Sequence, residues 1–215
     1  DVERSRGLGD VYKRQATFGP IENNCYLITD EKTNKSALVD CTEDSDKMMN
    51  FIEGANLEYI LLTHGHFDHI GGVKAVKAKT GAKVVISKED EPMLTSSKLS
   101  LAAFCGGVQN NTEADILISD GDVITLGESE IKAIATPGHT KGGFCYVCDG
   151  KIFTGDTMFF CSCGRTDFPG GSPLEIVQSL KKIASLDGNL IVYPGHDRQS
   201  TLDFERANNP FLNRA

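Results

Sequence analysis

"LLTHGHFDHIGG", residues 61–72, is the stretch on which the reading of this chain turns. An apolar run leads into a loop that carries His64, His66, Asp68 and His69, three imidazoles and a carboxylate within six positions. His64 and His66 flank Gly65, and in extended backbone residues two apart project to the same side. Asp68 and His69 follow as the chain turns toward a helix, where Gly71 and Gly72 permit close backbone approach. Imidazole and carboxylate are borderline-to-hard donors that suit zinc, iron or manganese. One ion can take His64 and His66 while a neighbouring ion takes Asp68 and His69.

Three later segments repeat the pattern. "ATPGHTKGG" and "VYPGHDRQS" each place a histidine, His139 and His196, after Pro-Gly at the end of an apolar run. Between them "IFTGDTMFF" puts Asp156 at another strand end. Taken singly these residues mean little: a lone strand-end histidine is ordinarily hydrogen-bonded or exposed, and Asp in "GDT" is ordinarily a turn former. The census changes the weighing. The chain has 5 histidines and all of them fall in these loops, which leaves none for a core or surface role.

Around these loops, short apolar runs alternate with amphipathic stretches and Gly or Pro breaks, the pattern of an α/β protein. Strands are expected at 25–28, 37–39, 59–62, 83–86, 131–135, 144–147, 152–153 and 190–193, and helices at 45–53, 72–79, 173–185 and from Leu202. The third helix is the best marked, with Ser172 as N-cap, Pro173 in the first turn and Leu174, Val177, Leu180, Ile183 and Ala184 at helical spacing. Many strands and few helices predict two packed sheets covered outside by helices. The polar stretch 87–112 is expected to form a helix and a loop beside the site.

Composition sets the bounds. The 215 residues suffice for one well-packed domain, and 40% hydrophobic with 24% charged residues is ordinary globular usage. A net charge of −8 argues against nucleic acid as a partner, and no apolar run reaches the roughly 20 residues of a membrane span. Acidic substrates stay open, because bound metal ions reverse the local field. Seven cysteines without a regular framework suit reduced thiols and a cytoplasmic setting. Cys145 and Cys148 form a CxxC on a strand, where residues three apart face opposite ways, so ordinary buried thiols are expected rather than a metal or redox pair. At the start, Asp10-Val11-Tyr12-Lys13-Arg14-Gln15 reads as a translated sequencing adapter, the alternative being a genuine basic turn. Residues 1–15 are therefore set outside the fold, with a single domain over 16–215 whose natural beginning is expected to be missing.

The elements "THGHFDHIGG", "TPGHT", "GDT" and "PGHD", in that order, resemble the metallo-β-lactamase superfamily, and "CGRTDFPGGS" and "ERANNPFL" resemble its short glyoxalase II-like, or hydroxyacylglutathione hydrolase-like, branch. The resemblance implies a four-layer αβ/βα sandwich with two divalent metal ions, zinc foremost and iron or manganese as alternatives, at the sheet edges. It implies His64, His66 and His139 at the first metal, Asp68, His69 and His196 at the second, and Asp156 bridging. A bridging hydroxide would attack the carbonyl of a glutathione-type or other small thioester, with Asp68 also able to orient it. Arg165 is read either as a contact for an anionic substrate or as half of an ion pair with Asp167. Gly170-Gly171 reads as a turn before the helix, since no P-loop pattern accompanies it.

One departure weakens the glutathione assignment: full-length glyoxalase II enzymes carry a helical C-terminal domain, and only 19 residues follow His196 here. The alternative reading is a persulfide dioxygenase, which shares the fold but uses one iron held by two histidines and an aspartate. The seven-ligand set and "FDHIGG" favour hydrolysis. Asp156 and the "PGHD" ending argue against an antibiotic-degrading lactamase, and the absence of a basic stripe argues against a nuclease. An oxygen-reducing diiron protein would show Glu in place of His66. A purely structural metal site would be closed and ligand-saturated.

Overall fold

A computed structural model describes residues 2, 3 and 11–212. The first sheet comprises β1 (Val2–Glu3), β2 (Val11–Phe18), β3 (Asn23–Asp30), β4 (Lys35–Val39), β5 (Asn56–Leu61), β6 (Lys83–Ser87) and β7 (Ile116–Ile118), in that spatial order. The second comprises β8 (Val123–Leu126), β9 (Ser129–Ala135), β10 (Phe144–Cys148), β11 (Lys151–Gly155), β14 (Ile191–Pro194) and β15 (Ser200–Thr201), with β11 and β14 adjacent and parallel. A small hairpin, β12 (Met158–Phe159) with β13 (Ser162–Cys163), stands by itself. The helices are α1 (Asp46–Phe51), α2 (Phe67–Ile70), α3 (Val73–Thr80), α4 (Ala102–Cys105), α5 (Pro173–Ala184) and α6 (Leu202–Asn208).

Side-chain parity explains the layering. On β3–β6, Tyr26, Ile28, Ala37, Val39, Leu61 and Val85 point into a core shared with Phe144, Tyr146, Phe153 and Tyr193 of the second sheet. Their neighbours Leu27, Leu38, Ile60, Val84 and Ile86 point the other way, onto Met48 of α1 and Val73 and Val76 of α3. Ile152 and Val192 likewise pack outward on Leu180 and Ile183 of α5 and on Leu202. In the central strands the segments buried on both faces, 25–28, 37–39, 60–61 and 84–86, are apolar at consecutive positions, which is why they read as runs rather than alternations. The result is the expected helix–sheet–sheet–helix sandwich. Cys145 and Cys148 fall into different cores, on opposite faces of β10, and are free thiols.

Helix ends follow the sequence cues. Ser172 accepts from Glu175 N at 3.3 Å above Pro173, and Ser45 accepts from Met48 N at 3.2 Å. One expectation needs correcting. Residues 11–15, left outside the fold on sequence grounds, pair residue by residue with β3, from Val11 opposite Asp30 to Gln15 opposite Tyr26. Val11 is buried in the intersheet core, and the Lys13 ammonium lies 4.1 Å from the centre of the Tyr193 ring. The physical reason is that β3 has a long free edge, and an extended segment with alternating side chains satisfies it. The rest of the set-aside segment, apart from β1, lies outside the described residues.

Cross-sheet hydrogen bonds tie the sheets together next to the loops that carry these residues. Tyr146 Oη donates to Leu62 O and Phe144 N to Thr63 O, both at 2.8 Å. Tyr26 Oη and Asn24 Nδ2 both donate to Pro194 O, at 2.6 and 3.1 Å.

Candidate metal centre

The strands β5, β9, β11 and β14 all end at the same edge of the sandwich, and their exit loops carry the seven predicted residues. His64 and His66 follow β5, with Asp68 and His69 in α2; His139 follows β9, Asp156 follows β11 and His196 follows β14. The structure brings all seven together. Donor atoms of His64, His66 and His139 form one group within 4.8 Å, Asp68, His69 and His196 a second, and His64, His69 and Asp156 a third that links them. His66 Nδ1 and His139 Nε2 face each other at 2.9 Å. Asp156 reaches both halves, with Oδ1 3.4 Å from His69 Nε2 and Oδ2 3.4 Å from His139 Nε2.

Four of the rings are held from behind. His69 Nδ1 lies 2.8 Å from Asp40 Oδ2, His64 Nδ1 3.1 Å from Thr63 Oγ1, His139 Nδ1 2.8 Å from Arg165 O, and His196 Nδ1 3.0 Å from Ile21 O. The carbonyls of Arg165 and Ile21 can only accept, so Nδ1 is the donor in His139 and His196, which turns Nε2 of both rings toward the other donor residues. Thr63 Oγ1 donates to Asp40, so it too is an acceptor for His64. Partners of this kind are what orients a histidine that ligates a metal and raises its basicity.

Whether a metal fits is decided by the inward atoms. Nε2 of His64 and His69 and Oδ1 of Asp156 are buried, have no hydrogen-bond partner and belong to one donor group, while His66 turns Nδ1 toward His139. Buried polar atoms are ordinarily paired, and three such atoms in one group fit a cationic partner between them. Electrostatics agree. Burial, reinforced by neighbouring imidazoles, holds His64 well below the ordinary histidine range and His66 down at about 3, so both rings are neutral donors. Burial also opposes charge on His69, but Asp68, Asp40 and Asp156 outweigh it and push its pKa well up. In Asp68 and Asp156 burial acts upward, and the facing His69 charge overrides it to leave both carboxyls ionised. The protein thus arranges carboxylates that require positive charge between them.

Several contributors escaped the sequence reading. Asp40, at the end of β4, accepts from Thr63 N, Thr63 Oγ1 and His69 Nδ1. Its signal, an acid directly after the apolar run 37–39, was the same strand-end pattern without a histidine. Asp90 accepts from Gly65 N, Thr140 Oγ1 and Gly142 N, and so ties the loop of His64 and His66 to that of His139. Asn23 Nδ2 donates to Asp68 Oδ2 at 3.3 Å. Glycine is enforced at 195, where a Cβ would stand 2.5 Å from Asp156 Oδ1 and 2.9 Å from His69 Cε1. Gly71 and Gly72 pack against Thr42 O and Glu43 O, where a Cβ would come within 2.3 Å of either.

The centre opens into a cavity of about 1040 Å³. Segment 87–112 forms one wall, with the short α4 and the loop after it, as expected for that stretch. It is clamped by Phe67 N donating to Ser100 O at 2.9 Å and Asn110 Nδ2 to Gly71 O at 2.8 Å. Arg165 lines the cavity but closes on Asp167 through two bonds of 2.6 Å. Gly170-Gly171 forms a turn, with Gly171 N donating to Phe168 O at 2.8 Å.

The profile of the Metallo-beta-lactamase superfamily matches residues 18–196. The chain is 32% identical over 203 residues to the Hydroxyacylglutathione hydrolase GloC of Haemophilus influenzae, covering 89% of this chain and 93% of that one. Among solved structures, BLEG-1 B3 metallo-beta-lactamase superposes with a TM-score of 0.88 at 30% identity, covering 94% of this chain and 100% of the other. TTHA1623 in a di-iron-bound form gives 0.82 at 30% identity, covering 93% and 100%.

Proposed function

The chain belongs to the metallo-β-lactamase superfamily, and from that footing we propose that it is a dinuclear metal-dependent hydrolase of small thioesters. The observation that carries the reading is the convergence of two three-residue donor groups, with Asp156 reaching both. His64, His66 and His139 would hold one ion and Asp68, His69 and His196 the other, with Asp156 shared. Two divalent ions, zinc by choice of donors, would acidify a water molecule and polarise a carbonyl oxygen at neutral pH. The similarity to a protein named hydroxyacylglutathione hydrolase supports the thioester as substrate.

The chain's own residues supply the rest. Asp68, steadied by Asn23 and by His196 at 3.3 Å, presents an ionised carboxylate at the cavity floor that can orient the attacking water. Asp40 and Thr63 keep His69 and His64 from turning away. The leaving thiolate needs no dedicated acid, because thiols ionise far more readily than alcohols or amines.

The test is to load metal-free protein with zinc, manganese or iron and follow thiol release from a thioester panel. Hydrolysis that disappears with chelation and returns with metal supports the proposal. Thioester inertness together with oxygen consumption on a persulfide, with one iron per chain, would replace it by the dioxygenase reading.

A further inference from the structure

The cavity wall beyond the donor groups is lopsided in charge. Among the described residues, Arg165 is the one lysine or arginine lining it, against Glu43, Asp44, Asp68 and Asp156. Asp68 and Asp156 belong to the donor set, but Glu43 and Asp44 do not. Arg165 offers no net charge to a ligand, because its guanidinium is gripped in a fork by Asp167 and its flat face lies 4.0 Å from the Phe168 ring centre. Releasing it would expose Asp167 beside whatever anion arrived. The rim therefore presents a neutral pair on one side and two carboxylates on the other.

Beside Thr42, Asn110 and Ser162, an apolar and aromatic surface makes up much of the remaining wall. Phe168 stands edge-on to His66 with ring centres 6.0 Å apart, and Phe159 stands edge-on to His196 at 6.1 Å. One phenylalanine thus borders each donor group. Phe67 and Leu101 continue this surface, and Ile21 and Val108 extend it to the mouth, where they are 52% and 68% exposed. Exposed aliphatic side chains at the rim of a concave site are the mark of an apolar ligand that covers them.

Resting on the hydrolase reading, we propose that this site takes an uncharged thioester: a bulky apolar or aryl acyl group lies along Phe67, Phe159 and Phe168, and the thiol carrier lacks carboxylates. Glutathione, with two carboxylates and one ammonium, meets no uncommitted lysine or arginine among the described residues of the wall beyond the metal donors. The reaction is balanced hydrolysis. The acyl C–S bond breaks, the water oxygen joins the acyl carbon, and the products are a carboxylate, a thiol and one proton.

The experiment pairs two acyl groups with two carriers on the zinc-loaded enzyme. S-lactoyl and S-phenylacetyl thioesters of glutathione are compared with those of N-acetylcysteamine, an uncharged thiol, by kcat/KM. The expected result is a preference of about tenfold or more for the uncharged carrier with either acyl group, shrinking at high salt because the rim charges are exposed. Phenylacetyl should exceed lactoyl on either carrier by a similar factor, after subtraction of uncatalysed rates. Asp44→Asn should narrow the carrier preference, and Arg165→Ala should leave the carrier ratio where it was. Equal or better use of the glutathione thioesters, or a collapse confined to them in Arg165→Ala, overturns the inference while leaving the hydrolase reading intact. Hydrolysis of none of the four removes that reading, and this inference with it.

Discussion

Replacing Asp40 with asparagine probes the metal centre through a residue that faces away from its inward donor atoms. The carboxylate is 1% exposed and accepts from Thr63 N at 2.8 Å, Thr63 Oγ1 at 2.9 Å and His69 Nδ1 at 2.8 Å. An amide of the same shape keeps one acceptor oxygen and turns an N–H toward the other partners. Whichever donor loses its acceptor stays buried, at a cost of about 1.5–3 kcal/mol for a bond to a charged group. His69 is freed to rotate, and His64 loosens to a lesser degree because Thr63, which receives its Nδ1 proton, is no longer fixed. Outer-layer changes of this kind lower metal affinity about 10–100-fold. Zinc titration against a competing chelator should therefore show two binding steps in the natural protein. In Asp40→Asn the step assigned to Asp68, His69 and His196 should weaken by that factor, and the other step should weaken less. Unfolding by urea in the metal-free state should show a loss of about 2 kcal/mol. A folded variant that binds both metals with unchanged affinity would refute the reasoning, because Asp40 would then neither orient nor polarise His69.

Three further outcomes are expected. Gly195→Ala should keep the fold and lose about 100-fold in activity with reduced metal content, because its Cβ would displace Asp156 and His69 from contacts of 2.5 and 2.9 Å; metal analysis of the purified variant checks this. Metal-free protein should become less stable as pH falls from 6.5 toward 5. His64 and His66 are depressed in the folded state, His66 to about 3, so the unfolded chain binds more protons in that window and stability falls with pH. His66 alone contributes a loss of about 2 kcal/mol by pH 5, read from urea melts in chelator. His69 and His196, whose pKa values are raised, act above that window and do not reverse the sign within it. Finally, an aromatic disulfide reagent should modify Cys105, Cys161 and Cys163 in the native protein and leave the buried Cys25, Cys41, Cys145 and Cys148 untouched until unfolding. Burial pushes the Cys25 and Cys148 thiols up to about 12, which removes the reactive thiolate.

The features of the fold and site that were legible in the sequence share one property: they repeat. Five histidines at strand ends could be weighed together, and so could apolar runs that prove buried on both faces, as at 60–62 and 84–86. Asp40 and Asp90 could not. Each is a single acid whose importance lies in what the fold brings to it, Thr63 and His69 in one case, Gly65 and Gly142 in the other. The short strands β7 and β8 were also missed, since three or four residues carry too little periodicity to register. Arg165 illustrates a different limit. Sequence offered an ion pair with Asp167 or a substrate contact, and only the fork geometry of 2.6 Å bonds shows the pair formed. The pairing of residues 11–15 with β3 was hidden by their composition, which reads as foreign to the fold while still supplying an extended strand.

Whether two metal ions share this site is read from metal content per chain in protein purified from metal-supplemented cells. Elemental analysis with a matched protein determination should return close to two ions per chain, falling to about one when His196 is replaced by alanine. One ion per chain in the natural protein, unchanged by that substitution, would contradict the claim and leave the second donor group without a metal to hold.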